Sequence, residues 1–252
     1  MVTLPGAIAD LKSSEFLMMN DITVIAAASR DVRKSVIPLL EARFSSSQRT
    51  LTREQVAASL VRLGDKDETS WNFLVARAIP AAEDDAPFPF EIGPNRRVTK
   101  NTSPAFLRWA ADHHLSKGQA LENEAFDNPG AIEMLGFTKD PRAVPILQMA
   151  LASPSYFVEA AAADGLADLG DKASIPLIIE ACSRAPADAA AVMARSLVYF
   201  DTRGAQQAVE LYASRETAAE YRKERSEGID VYGDKPLGWN PARSTPPGNP
   251  HP

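Results

Sequence analysis

A pattern that returns along a chain constrains the fold more than any single motif, because a segment that repeats must bury its apolar side against its own copies. Here Ile37-Pro38-Leu39-Leu40-Glu41, Val144-Pro145-Ile146-Leu147-Gln148 and Ile175-Pro176-Leu177-Ile178-Ile179 share a β-branched residue, a proline and an apolar pair. The last two prolines stand 31 residues apart. Ala162, Leu166 and Leu169 return at the same offset as Met193, Leu197 and Phe200, and Val56, Leu60 and Leu63 make the pattern earlier. Spacing of i, i+4, i+7 places each triplet on one face of an α-helix, so each is a stripe that needs a neighbour to cover it.

Turns punctuate the stripes at matching places. Leu63-Gly64-Asp65-Lys66 and Leu169-Gly170-Asp171-Lys172 are identical tetrapeptides, and a glycine just past the last apolar residue is a helix C-cap signal. Asp140-Pro141-Arg142 offers an N-cap followed by a proline, while Ser153-Pro154, Ser103-Pro104 and the box Thr52-Arg53-Glu54-Gln55 mark further helix starts. Val and Ile fall at helical spacing, and no Asn-Gly or Asp-Gly turn separates alternating runs. The expectation is an all-α chain, a right-handed α-solenoid or α/α superhelix. Its helix pairs are expected near 5–28, 32–63, 68–116 with an interruption, 119–135, 141–169 and 172–200, with a last helix over 203–226.

The stretch Asp-Pro-Arg-Ala-Val-Pro-Ile-Leu from Asp140, then Val158-Glu159-Ala160-Ala161-Ala162 and Gly165-Leu166-Ala167-Asp168-Leu169-Gly170, resembles the HEAT-like repeat of phycobilin-lyase type. The resemblance is best over 131–212 and recognisable over 30–80. It implies stacked HEAT-like helix pairs and says little about function, since such modules serve lyases, scaffolds and regulators. No catalytic residue carries over from it.

Composition bounds the partners. The chain carries 27 basic and 33 acidic residues, and residues 81–200 hold 10 basic against 16 acidic groups. An acidic centre repels phosphate, which argues against a nucleic-acid partner. Its 45% of apolar residues suffice for a continuous core. No apolar run approaches the roughly 20 residues that span a bilayer, so no membrane role is expected. The single Cys182 permits no internal disulfide and sits in a helical run as a small core residue; no Cys/His spacing suits zinc, so neither metal nor other cofactor is expected. The first twenty residues lack the layout of a signal peptide, which points to the cytoplasm, with export after loss of a leader left open.

The repeat breaks at residues 80–103, where Pro80, Pro87, Pro89 and Pro94 keep the chain out of helix. Phe88 and Phe90 in this polar insert either fold back over the solenoid or face a partner. Arg96 and Arg97 lie beside them, and the helix expected from Pro104 sets Trp109 and His113 on a face away from its apolar stripe. His113-His114 is no metal motif, because adjacent helical residues point about 100° apart. The 31-residue offset further sets Asp164 beside Arg195 and Asp168 beside Tyr199, an expected polar ladder on the concave face or else a solvated charged face. The expected organisation is a repeat domain over 1–227 with the insert at 80–103, then a Pro/Gly-rich tail over 228–252, pinned by Tyr232 and Trp239.

These features read as a non-catalytic scaffold that binds a protein or peptide on its concave face or insert. One alternative is a phycobilin-lyase-like or other enzyme handling a small ligand. Another is a HEAT-like DNA glycosylase, for which Trp71, Trp109 and Arg96-Arg97 speak and the acidity speaks against. A metal hydroxylase resembling deoxyhypusine hydroxylase would need repeated His-Glu pairs that this sequence lacks.

Overall fold

Helix pairs stack so that every second helix joins one row. The computed structural model describes residues 3–13, 19–47, 49–78, 129–153 and 155–232, together with the backbone of 90–92 and 98–100. The first half holds α1 (Leu4–Ser13), α2 (Met19–Ala26), α3 (Arg30–Ser46), α4 (Thr50–Leu63) and α5 (Glu68–Ala78). The second holds α6 (Pro129–Phe137), α7 (Ala143–Ala150), α8 (Tyr156–Asp168), α9 (Ile175–Arg184), α10 (Ala187–Leu197), α11 (Arg203–Tyr212) and α12 (Arg215–Ser226). Helices α2, α4, α6, α8 and α10 each pack on the next, while α3, α5, α7, α9 and α11 pack on the members of that row. Apart from one small hairpin, the described residues form a helical solenoid.

The stripes read from the sequence are its core. Val56, Leu60, Leu63, Ala162, Leu166, Met193, Leu197 and Phe200 are all buried, whereas Leu169 is only partly so. Each leucine so covered contributes about 1.5–3 kcal/mol, which no isolated pair of helices could collect. Cys182 is buried in the same core, and burial pushes its thiol up to about 12, so it behaves as a small apolar residue.

The two identical tetrapeptides make the same turn. Gly64 has φ +85° and Gly170 φ +68°, a left-handed conformation that costs a glycine nothing. Asp65 N donates to Leu60 O and Asp171 N to Leu166 O, each at 3.0 Å, which closes the last helical turn. A third copy, unmarked by the tetrapeptide, follows α12: Gly228 has φ +74° and Ile229 N donates to Glu224 O at 3.0 Å.

Several boundaries differ from expectation. The expected last helix over 203–226 is two helices, broken at Ala213, with Ser214 Oγ accepting from Thr217 N at 3.1 Å as the cap of α12. Helix α4 begins at Thr50, ahead of the Thr52 box, and its N-cap Arg49 makes no side-chain cap. Helix α5 packs directly against α6, while the partners expected for them within 104–116 and 119–128 lie outside the described residues. The insert also holds a small antiparallel hairpin, β1 (Phe90–Ile92) and β2 (Val98–Lys100), in register Phe90 to Lys100 and Ile92 to Val98. The strands form without an Asn-Gly turn, and Pro80, Pro87, Pro89 and Pro94 lie outside the described residues. Strand β2 lies beside α7, outside the row of second helices.

A polar seam on the row of second helices

Where α6, α8 and α10 lie side by side, the seam between them is polar. Asp164 on α8 accepts a hydrogen bond from Ser196 Oγ on α10 at 2.5 Å. Burial raises its carboxyl to about 7, helped by the nearby charges of Glu133 and Asp168 and opposed by the Ser196 bond and the Arg195 guanidinium. Asp168, at the end of α8, pairs with Lys139 Nζ beyond the end of α6. Its other oxygen, Oδ2, is buried and has no hydrogen-bond partner among the described residues.

The expected ladder therefore forms with different rungs. Asp164 bonds Ser196, and Arg195 reaches it only through its charge. Arg195 Nε instead donates to Glu224 on α12 at 3.0 Å, and its Nη1 donates to the carbonyl of Val231 at 2.7 Å. Asp168 takes Lys139, while Tyr199 Oη shares its proton between the carbonyls of Asp230, at 2.8 Å, and Ile229, at 3.0 Å. The 31-residue offset placed the right helices together; the lean of helical side chains toward the N-terminus decided which neighbour each one met.

Residues 228–232 lie across this seam. The Gly228 turn sends the chain back from α12, Val231 is buried, and Tyr232 places its hydroxyl over the crossing of α6 and α8. Gly136 and Gly165 make that crossing close: a Cβ on Gly136 would stand 2.4 Å from Gly165 Cα and 2.8 Å from Tyr232 Oη. The Tyr232 ring meets Phe137 edge-on with centroids 6.3 Å apart, and the Arg62 guanidinium covers the Phe137 ring at 4.1 Å. Burial pushes both phenols up, Tyr199 to about 12 and Tyr232 well above the ordinary value, with Asp168, Asp164 and Glu133 adding to the rise at Tyr232.

Two Glu–Arg pairs tie a second helix to the helix that follows it. Glu54 on α4 accepts from Arg77 in the last turn of α5 at 3.0 Å, and Glu159 on α8 accepts from Arg184 in the last turn of α9 at 3.2 Å. In both pairs the acid side chain is 4% exposed and the arginine 45%, so a half-wet guanidinium neutralises a buried carboxylate.

Of the residues singled out from the sequence, Asp164, Asp168, Arg195 and Tyr199 come together on the seam. Phe88, Arg96, Arg97, Trp109 and His113 lie outside the described residues, and of Phe90 only the backbone is placed, in β1 opposite Lys100. Sequence reasoning missed Ser196, Lys139, Glu224, Arg62 and the Gly136–Gly165 crossing. A glycine in the last turn of each of α6 and α8 was the available signal for the last of these. Among the described residues no group of three or more His, Cys, Asp and Glu is arranged to hold a metal ion, and no helix is long and apolar enough to cross a membrane.

Paired helices, glycine-closed turns and a continuous row of second helices define a helical repeat protein. Residues 129–198, from the first residue of α6 to just past the end of α10, match the family model for HEAT repeats. That segment is similar to HEAT repeats, and the phycobilin-lyase type is no part of the match. No match was found among curated proteins or among solved structures.

Proposed function

We propose that the protein is a non-catalytic scaffold whose row of second helices binds a protein or peptide in extended conformation. HEAT repeats are helical scaffolds often used for protein interaction, and one observation carries the finer reading. On the seam, Tyr199 and Arg195 donate side-chain hydrogen bonds to three successive main-chain carbonyls, those of residues 229, 230 and 231. Donors that address carbonyls accept an extended chain of many sequences, whereas catalysis would call for a nucleophile with an adjacent base. Asp164 is the seam's most perturbed acid, and the hydroxyl that donates to it belongs to Ser196, a fully buried residue that no substrate reaches.

Affinity capture from a native extract tests this, with the intact protein beside a Tyr199→Phe/Arg195→Gln variant and a version whose residues 82–101 are replaced by a Gly/Ser linker. A partner lost only with the double variant supports the seam. One lost only with the linker moves the site to the insert, and the absence of any partner for the intact protein defeats the reading and brings small-molecule ligands forward.

A further inference from the structure

Residues 229–232 belong to no helix pair, yet they occupy the seam as a ligand would. They begin where the third glycine turn would have launched another repeat, and instead cross back over α10 and α8 toward α6. Two kinds of contact hold them. Tyr199 and Arg195 donate to their carbonyls, which reads backbone and not side chains. Tyr232 then fills a socket whose floor is the side-chain-free crossing of Gly136 and Gly165 and whose wall is Phe137 under Arg62.

The fit of that anchor is incomplete. Tyr232 Oη is buried and has no hydrogen-bond partner among the described residues, although the charges of Asp168, Asp164, Glu133 and Arg62 act on it. Asp168 Oδ2 is buried nearby and is equally without a donor. The socket thus holds the ring by shape and aromatic contact, with no hydrogen bond to its hydroxyl among the described residues.

We infer that residues 229–232 are an intramolecular occupant of a peptide groove, and that the partner in trans is an extended segment whose accepting carbonyls are followed by an aromatic side chain for the Gly136–Gly165 socket. The inference rests on the scaffold reading and gives it a partner chemistry and a regulator. A segment tethered this closely competes at an effective concentration of about millimolar. The groove is therefore closed to weak partners and opens to strong ones, or when the segment is drawn away.

The test uses the full chain and a fluorescein-labelled peptide of its own residues 227–236, read by fluorescence anisotropy. The Tyr232→Ala variant should bind this peptide at least about tenfold more tightly than the unaltered protein, whose groove is filled in cis. The same peptide with its tyrosine changed to alanine should bind neither protein, and adding Tyr199→Phe to Tyr232→Ala should weaken binding severalfold while the helical circular dichroism is unchanged. Equal or absent binding by the two proteins overturns the inference. So does collapse of the Tyr232→Ala fold, which would make Tyr232 a core residue, and so does sedimentation of the unaltered protein as a segment-exchanged dimer, which would make a second copy the occupant. If the peptide fails while extract capture still yields a seam-dependent partner, this inference falls alone; if the peptide binds and no partner is captured, the groove stands and the scaffold reading falls.

Discussion

The repeats before residue 79 and those after residue 128 meet the same burial requirement with differently built helices. In the second half, Pro145 and Pro176 fall in the first turns of α7 and α9, where a missing N–H costs little. In the first half, Pro38 lies inside the 17-residue α3, because that helix starts earlier, at Arg30 behind the Ser29 cap. The polar contacts diverge as well. Near α4, Arg53 lies against the faces of Phe44 and Phe73 at 4.8 and 4.6 Å, whereas α8 and α10 meet through Asp164 and Ser196 under the returning chain. What the halves share is the apolar stripe, the glycine turn and the Glu–Arg tie to the next helix. The shared parts are those that stacking requires; the proline position and the seam chemistry are free to specialise.

Asp164 has no counterpart in the first half, and it should give the largest asymmetry. Folding raises its pKa from 3.8 to about 7, so the native state holds this proton more tightly than the unfolded chain. The stability it contributes is fully present below pH 3.8 and is lost as the pH rises to about 7. Asp164→Asn should therefore stabilise the protein at pH 8, by at most about 4 kcal/mol and by less to the extent that water reaches the carboxylate. Urea melts at pH 5 and pH 8 check this, and an unchanged difference between the two pH values would contradict it.

Gly136→Ala comes next. Its Cβ would stand 2.4 Å from backbone, so α6 and α8 must separate, at a cost of about 3 kcal/mol and with release of Tyr232, measurable by thermal melting and tyrosine fluorescence. The Glu–Arg ties test what the halves share. Arg184→Ala strands Glu159, whose carboxyl is already raised by burial, and also frees the Leu151 carbonyl that Arg184 holds at 2.9 Å. It should cost about 2 kcal/mol, with Arg77→Ala costing less, since half-exposed arginines screen part of the loss. The smallest effect probes the turns: Gly64→Ala and Gly170→Ala meet no atoms within 4 Å, so each should cost only the left-handed backbone strain of about 1 kcal/mol. Equal shifts in the two melts would confirm that the turns are energetically the same.

These contrasts also show which parts of the structure could be read from residues alone. The stripes and both Leu-Gly-Asp-Lys turns were legible because each is a local requirement, of helical periodicity in one case and positive φ in the other. The break before α12 was not, because Ala213-Ser214 carries neither glycine nor proline and the cap alone ends the helix. The α5–α6 contact was hidden because it joins residues on either side of the insert, where no local signal reaches. On the seam, the offset identified Asp164, Asp168, Arg195 and Tyr199 as neighbours of the right helices. Their actual partners depended on side-chain direction and on a returning chain segment whose path begins at Gly228.

The packing of α5 against α6 makes the site between them unusual in the chain. Two adjoining helices of one continuous core are joined there through residues 79–128. The contact of α5 with α6 makes one core of the two halves, whatever the path of residues 79–128.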